Sequence, residues 1–131
     1  MADPRHPRGL IDTSVVIDLQ LIEPADLPLE LAVSAITMAE LAAGPHATAD
    51  PAERARRQDR LQRAEATFEP LPVDTAVARA YGRVYAAAGA AGRKARGRRA
   101  VDLFIAATAV CGGSALVHAQ SGRFRWPVRN A

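Results

Sequence analysis

Three acidic side chains stand where a carboxylate can do chemistry: Asp12, Glu40 and Asp102. Asp12 follows Leu10-Ile11, which reads as the end of a buried strand. It precedes a short helix through Val15, Val16 and Ile17 that Ser14 can cap. A carboxylate at the C-terminal end of a first strand stands where open α/β sheets bind ligands. A local turn hydrogen bond is the other role open to it. Glu40 falls three residues after Thr37, the spacing of a capping box, so it could bond back to the Thr37 amide or serve a site. Asp102 sits in the first turn of an apolar helix, where the helix dipole favours an anion. Carboxylates brought together repel unless a cation or a proton joins them.

The elements that must position these acids alternate along the chain. Residues 1–8 read as a flexible arm, and 23–28 as a proline-interrupted loop. Leu29–Val33 leading into Ser34-Ala35-Ile36 gives a second strand. Thr37 opens a helix that Gly44-Pro45 stops. Asp50-Pro51-Ala52-Glu53 starts another, running to about Ala66 with a solvated Arg-Gln-Asp-Arg surface. Phe68–Val73 reads as a third strand, short because of Pro70 and Pro72. Asp74 caps the next helix, whose apolar face is Val77, Tyr81, Val84, Tyr85 and Ala88, ending at Gly89 or Gly92. The helix through Ala100–Val110 is apolar nearly all round and is expected to be buried. Ser114–Val117 forms a last strand, and 111–131 is an atypical tail. Alternating strands and helices predict a single three-layer α/β/α domain over 1–131 with a short central parallel sheet. In that sheet Asp12 and the starts of the Glu40 and Asp102 helices share the C-terminal edge.

Bulk properties narrow the setting. The chain has 131 residues, 49% of them hydrophobic, enough for one core. One cysteine, Cys111, excludes an internal disulfide and points to a reducing compartment, so the protein is expected in the cytoplasm. The N-terminal residues lack the apolar core of a signal peptide, and no apolar run is long enough to span a membrane. Net charge is +3, but residues 1–65 carry a net −4 and residues 66–131 a net +7. The basic half culminates in Arg93, Lys94, Arg96, Arg98 and Arg99, five bases in seven residues. This run is either a solvated loop or a phosphate-contacting strip. It has no interleaved aromatics, so it would add affinity and little sequence reading.

Three segments together resemble the PIN-domain ribonucleases, and most closely the VapC toxins of bacterial toxin–antitoxin pairs. They are Leu-Ile-Asp-Thr-Ser at 10–14, Ser-Ala-Ile-Thr-Met-Ala-Glu-Leu at 34–41, and Val-Asp-Leu-Phe-Ile-Ala-Ala-Thr-Ala at 101–109. The resemblance covers roughly residues 8–110. It implies that Asp12, Glu40 and Asp102 are catalytic metal ligands for Mg²⁺ or Mn²⁺, with Ser14 orienting the Asp12 carboxylate or a metal-bound water. It also implies hydrolysis of phosphodiester bonds in RNA, a VapB-like antitoxin partner and a homodimer. Hard oxygen donors suit such cations, and a bound cation both activates water and stabilises charge on phosphate.

The tail is where the resemblance stops. The family carries a fourth acid after its last strand, in a segment of the form Thr-Arg-Asn-Pro-x-Asp-Phe. Aligning Phe124 with its final Phe puts Gln120 at the Asn and Arg123 at the acid, and no acid occurs in residues 103–131. Residues 117–124 can be encoded by bases that, read one base later, spell Tyr-Thr-Arg-Asn-Pro-Ala-Asp-Phe. A one-base slip near Cys111–Ser114 would therefore account for the tail. An alternative to an active nuclease is thus a catalytically weak PIN scaffold that binds antitoxin and RNA. A phosphatase on another doubly wound fold lacks support, because Thr13-Ser14 rather than a second acid follows Asp12.

Overall fold

The computed structural model describes residues 8–90, 97–120 and 123–125, with the side chains of Arg98 and of residues 118 onward outside that description. Strand β1 (Arg8–Ile11) lies between β2 (Glu30–Ala32) and β3 (Ala115–Gln120), both parallel to it, and β4 (Arg123–Arg125) adds to β3 antiparallel. The helices are α1 (Thr13–Ile17), α2 (Ala35–Ala43), α3 (Pro51–Thr67), α4 (Thr75–Ala90) and α5 (Arg98–Cys111).

Side chains on a strand alternate between the two faces, and both faces of this sheet are covered, so adjacent residues are both buried. Ile11, Val33 and Val117 pack with Val15, Val16, Leu41 and Ala64 from α1, α2 and α3. Leu10 and Ala32 pack with Ile105 and Ala109 of α5. Outside α5 lies α4, joined through Val77, Ala80 and Ala107, with Tyr81 stacked on Phe104 at 4.1 Å between ring centres. The predicted three-layer α/β/α order with a short parallel sheet is the one found.

Several predicted elements differ. Arg8 and Gly9 already belong to β1, so only residues 1–7 of the expected arm fall outside the described residues. The third strand at 68–73 shrinks to a single bridge in which Leu71 donates to the Val33 carbonyl at 2.9 Å and accepts from the Ala35 amide at 2.8 Å. Pro70 and Pro72 flank Leu71 and have no N–H to extend the ladder. The last strand instead runs past Val117 to Gln120, and the tail contributes β4. Helix α5 is not buried all round. The sheet covers one stripe and α4 another, leaving Asp102 and Val110, eight residues apart, exposed.

Caps at Asp50 and Asp74 form as predicted, with Asp74 Oδ1 accepting from the Val77 amide at 3.0 Å. The α3 surface is less solvated than its composition suggests. Arg57 is half-buried and donates to the Gly44 carbonyl at 2.9 Å, while Arg54 donates to the carbonyls of Pro45 and Thr48. These bonds satisfy carbonyls of the turn that follows α2.

One glycine is demanded by packing. A Cβ on Gly9 would stand 2.3 Å from Pro28 Cγ and 3.0 Å from Val117 Cγ2, because β2's approach and β3 both press on β1 there.

Candidate active site at the C-terminal sheet edge

Strand β1 ends where the Asp12 amide donates to the Val117 carbonyl at 3.0 Å, so Asp12 lies just past the end of β1 and beside the middle of β3. Its backbone is extended and its own side chain caps α1, with Oδ1 accepting from the Val15 amide at 3.0 Å. Asp12, not Ser14, is thus the cap. Ser14 lies inside the first turn and its hydroxyl donates to the same Oδ1 at 2.7 Å. No described residue donates to Asp12 Oδ2, which leaves that oxygen for a cation or water.

Glu40 is not in a capping box. Helix α2 starts three residues earlier than the Thr37 cap would require, with Ser34 as cap accepting from the Ile36 amide at 3.0 Å. That places Thr37 one turn inside the helix, fully buried, and Glu40 one turn further along the same face. The Thr13 hydroxyl donates to Glu40 Oε1 and lies 3.2 Å from the Thr37 hydroxyl. Two short helices are thereby tied together, with Glu40 held at the turn that carries Asp12 and Ser14. Thr13 and Thr37 are the residues that sequence reasoning missed. The spacing of Thr37 and Glu40 points to a cap, and nothing local in Thr13 announces a partner 27 residues away.

Asp102 sits in the second turn of α5, not the first, since the helix begins at Arg98. Its carboxylate is exposed, and its neighbour Val101 packs against the cluster of Leu10 and Ala32 that Ile36 also joins. Among the described residues no three His, Cys, Asp or Glu side chains are gathered closely enough to share a metal ion. Glu40 and the Asp12 turn are linked through Thr13, whose hydroxyl donates to Glu40 Oε1. Their donors are carboxylate and hydroxyl oxygens, the chemistry that fits Mg²⁺ or Mn²⁺.

Of the basic run, Arg93, Lys94 and Arg96 lie outside the described residues, as does the Arg98 side chain, while Arg99 is exposed. Arg98 and Arg99 form the first turn of α5 rather than a loop, after Gly97 in the left-handed region at φ +52°. Two cations at a helix N-terminus oppose its dipole, and an anion bound there would offset them.

Residues 9–125 match the PIN domain family. Ribonuclease VapC8 of Mycobacterium tuberculosis is 41% identical over 102 residues, covering 77% of this chain and 89% of the relative. Ribonuclease VapC5 of the same organism is 36% identical over 77% of this chain and 74% of its own length. Among solved structures, VapBC-5 from M. tuberculosis, a member of the VapBC family of toxin–antitoxin systems, superposes with a TM-score of 0.73. It shares 33% identity, covering 88% of this chain and 87% of that one. FitAcB from Neisseria gonorrhoeae superposes with a TM-score of 0.62 at 26% identity, over 82% and 84% of the two chains. The chain belongs to the PIN domain family, alongside the VapC ribonucleases.

Proposed function

We propose that this protein is the toxin of a type II toxin–antitoxin pair, an endoribonuclease that hydrolyses phosphodiester bonds in RNA with a divalent cation, Mg²⁺ or Mn²⁺. The observation that carries the reading is 41% identity to a VapC ribonuclease across 89% of its length, with the Asp12 turn and Glu40 tied together at the ligand-binding edge of the sheet. Asp12, Glu40 and Asp102 are its proposed ligands and catalytic acids, and Ser14 the residue that fixes Asp12 Oδ1. Bound there, the cation supplies a more acidic water and a counter-charge for the scissile phosphate. The chain's own part is to hold its carboxylates at the edge and to keep Asp12 Oδ2 available. The strip at Arg93, Lys94, Arg96, Arg98 and Arg99 draws in the RNA backbone by charge.

The same reading assigns a VapB-like antitoxin as partner and a second copy of the toxin in a homodimer. The solved relative at 33% identity, VapBC-5, is a member of the VapBC family of toxin–antitoxin systems, which supports the antitoxin assignment. No helix among the described residues is long and apolar enough to cross a membrane, and the single cysteine fits a cytoplasmic setting.

A specific observation favours a second reading, a PIN scaffold that binds antitoxin and RNA and cleaves weakly. Residues 103–131 contain no acid, and among the described residues no three acids share a metal-sized site. Purified protein incubated with RNA, with and without Mg²⁺ or Mn²⁺, separates the two. Chelator-sensitive cleavage supports the nuclease, and binding without cleavage supports the scaffold.

A further inference from the structure

Thr13 and Thr37 are buried hydroxyls, 5% and 0% exposed, that meet at the junction of α1 and α2. A buried hydroxyl has to find a partner, and each has one proton to give. The Thr13 proton goes to Glu40 Oε1, since an ionised carboxylate only accepts. The two hydroxyls are 3.2 Å apart. Thr13 thus contacts both Thr37 and Glu40, and one proton cannot serve both acceptors fully, so a Thr37 proton turned to Thr13 leaves that of Thr13 for Glu40. The relay begins and ends on one helix, with Thr37 and Glu40 three residues apart on α2, and passes through the residue next to Asp12.

We propose that Thr13, backed by Thr37, is the positioning residue that sets the Glu40 carboxylate relative to Asp12 for cation binding. This rests on the reading of Asp12 and Glu40 as ligands. Thr13 touches neither cation nor substrate in this assignment. It acts by removing rotamer freedom from Glu40 and by tying α1 to α2, so the two carboxylates keep one separation. A positioned hydroxyl of this kind resembles the outer partners of metal ligands, whose loss typically lowers metal affinity by about 10–100-fold.

The test measures Mn²⁺ binding by electron paramagnetic resonance on the full chain, with melting temperature recorded in parallel. The set is wild type, Asp12→Asn, Thr13→Val, Thr13→Ser and Thr37→Val. Thr13→Val keeps the shape and loses the proton, so Mn²⁺ affinity should fall about 10–100-fold. Thr13→Ser restores the proton and should bind close to wild type, while Thr37→Val should fall by a smaller factor. A packing role alone would lower the melting temperature of Thr13→Val and leave the affinity of its folded form unchanged, which overturns the proposal. If Thr13→Val does not fold, Thr37→Val decides, and an unchanged affinity there overturns it as well. Binding that Asp12→Asn abolishes and Thr13→Val retains would leave the site reading standing and remove only the relay. Wild type that binds no Mn²⁺ would remove both.

Discussion

Gly9→Ala perturbs the strand that delivers Asp12, and its cost can be worked from the packing. The added methyl carbon would stand 2.3 Å from Pro28 Cγ, far inside any real contact, and 3.0 Å from Val117 Cγ2. Pro28 is a rigid ring at the entry to β2, so it cannot swing aside as a long side chain would. Either the β2 entry shifts or β1 and β3 separate at the point where Gly9 pairs with Ala115. Overpacking of this kind costs about 1–3 kcal/mol. With roughly 2.1 cal/mol/K of unfolding entropy per residue, a chain of 131 residues loses about 4–11 °C in Tm. Gly82→Ala is the internal control. Gly82 is exposed in α4 with nothing within 4 Å of an added Cβ, so alanine should stabilise it by about 0.5–1 kcal/mol. The assay is thermal unfolding by circular dichroism on both variants. A Gly9→Ala protein melting within a degree of wild type would refute the close approach of β1 to Pro28.

Other predictions follow from the surface and the tail. Arg57→Ala removes a half-buried donor to the Gly44 carbonyl and should cost about 0.5–1.5 kcal/mol in urea unfolding. Hydrogen bonds from Arg56 and Arg57 hold the Glu53 carboxyl below its usual value. Its small contribution is therefore present at neutral pH and lost as acid protonates it, so wild type and Glu53→Gln should converge in Tm below the ordinary glutamate range. Replacing Arg96, Arg98 and Arg99 with Gln should weaken RNA binding without moving the cut site, flattening the log-affinity against log-salt slope by about 0.7 per lost contact. An unchanged slope would assign the run to solvent or antitoxin. Restoring the shifted reading frame after Ser114 should raise metal-dependent cleavage, and equal activity in both forms would show that the fourth acid is dispensable here.

Much of the framework was legible because it is local. Leu10-Ile11 before Asp12 reads as a strand end, and Asp50 and Asp74 announce their helices through side chains that bond amides two or three residues on. The strand at 68–73 is shorter still than Pro70 and Pro72 suggest, because Leu71 stands between two residues without an N–H and pairs alone, with Ser34. The apolar composition of α5 points to burial all round, but composition cannot tell which stripe a neighbour covers. Arg57 looked solvated because its carbonyl partner lies 13 residues back, at the end of another helix. The Thr37–Thr13–Glu40 relay was hidden for the same reason. It exists only once α1 and α2 pack, and the capping-box spacing at Thr37 offered a nearer explanation. The family resemblance supplied the link between acids that no local pattern connects.

The central claim, that Asp12 and Glu40 hold the cation of an RNA-cleaving site, is tested most directly by single-turnover cleavage of RNA across a Mn²⁺ titration. Wild type, Asp12→Asn and Glu40→Gln are compared at equal folded concentration. The account predicts chelator-sensitive cleavage by wild type and near-complete loss in both variants with the fold retained, because each substitution removes an anionic oxygen and little packing. Cleavage by either variant at the wild-type rate under saturating Mn²⁺ would contradict it.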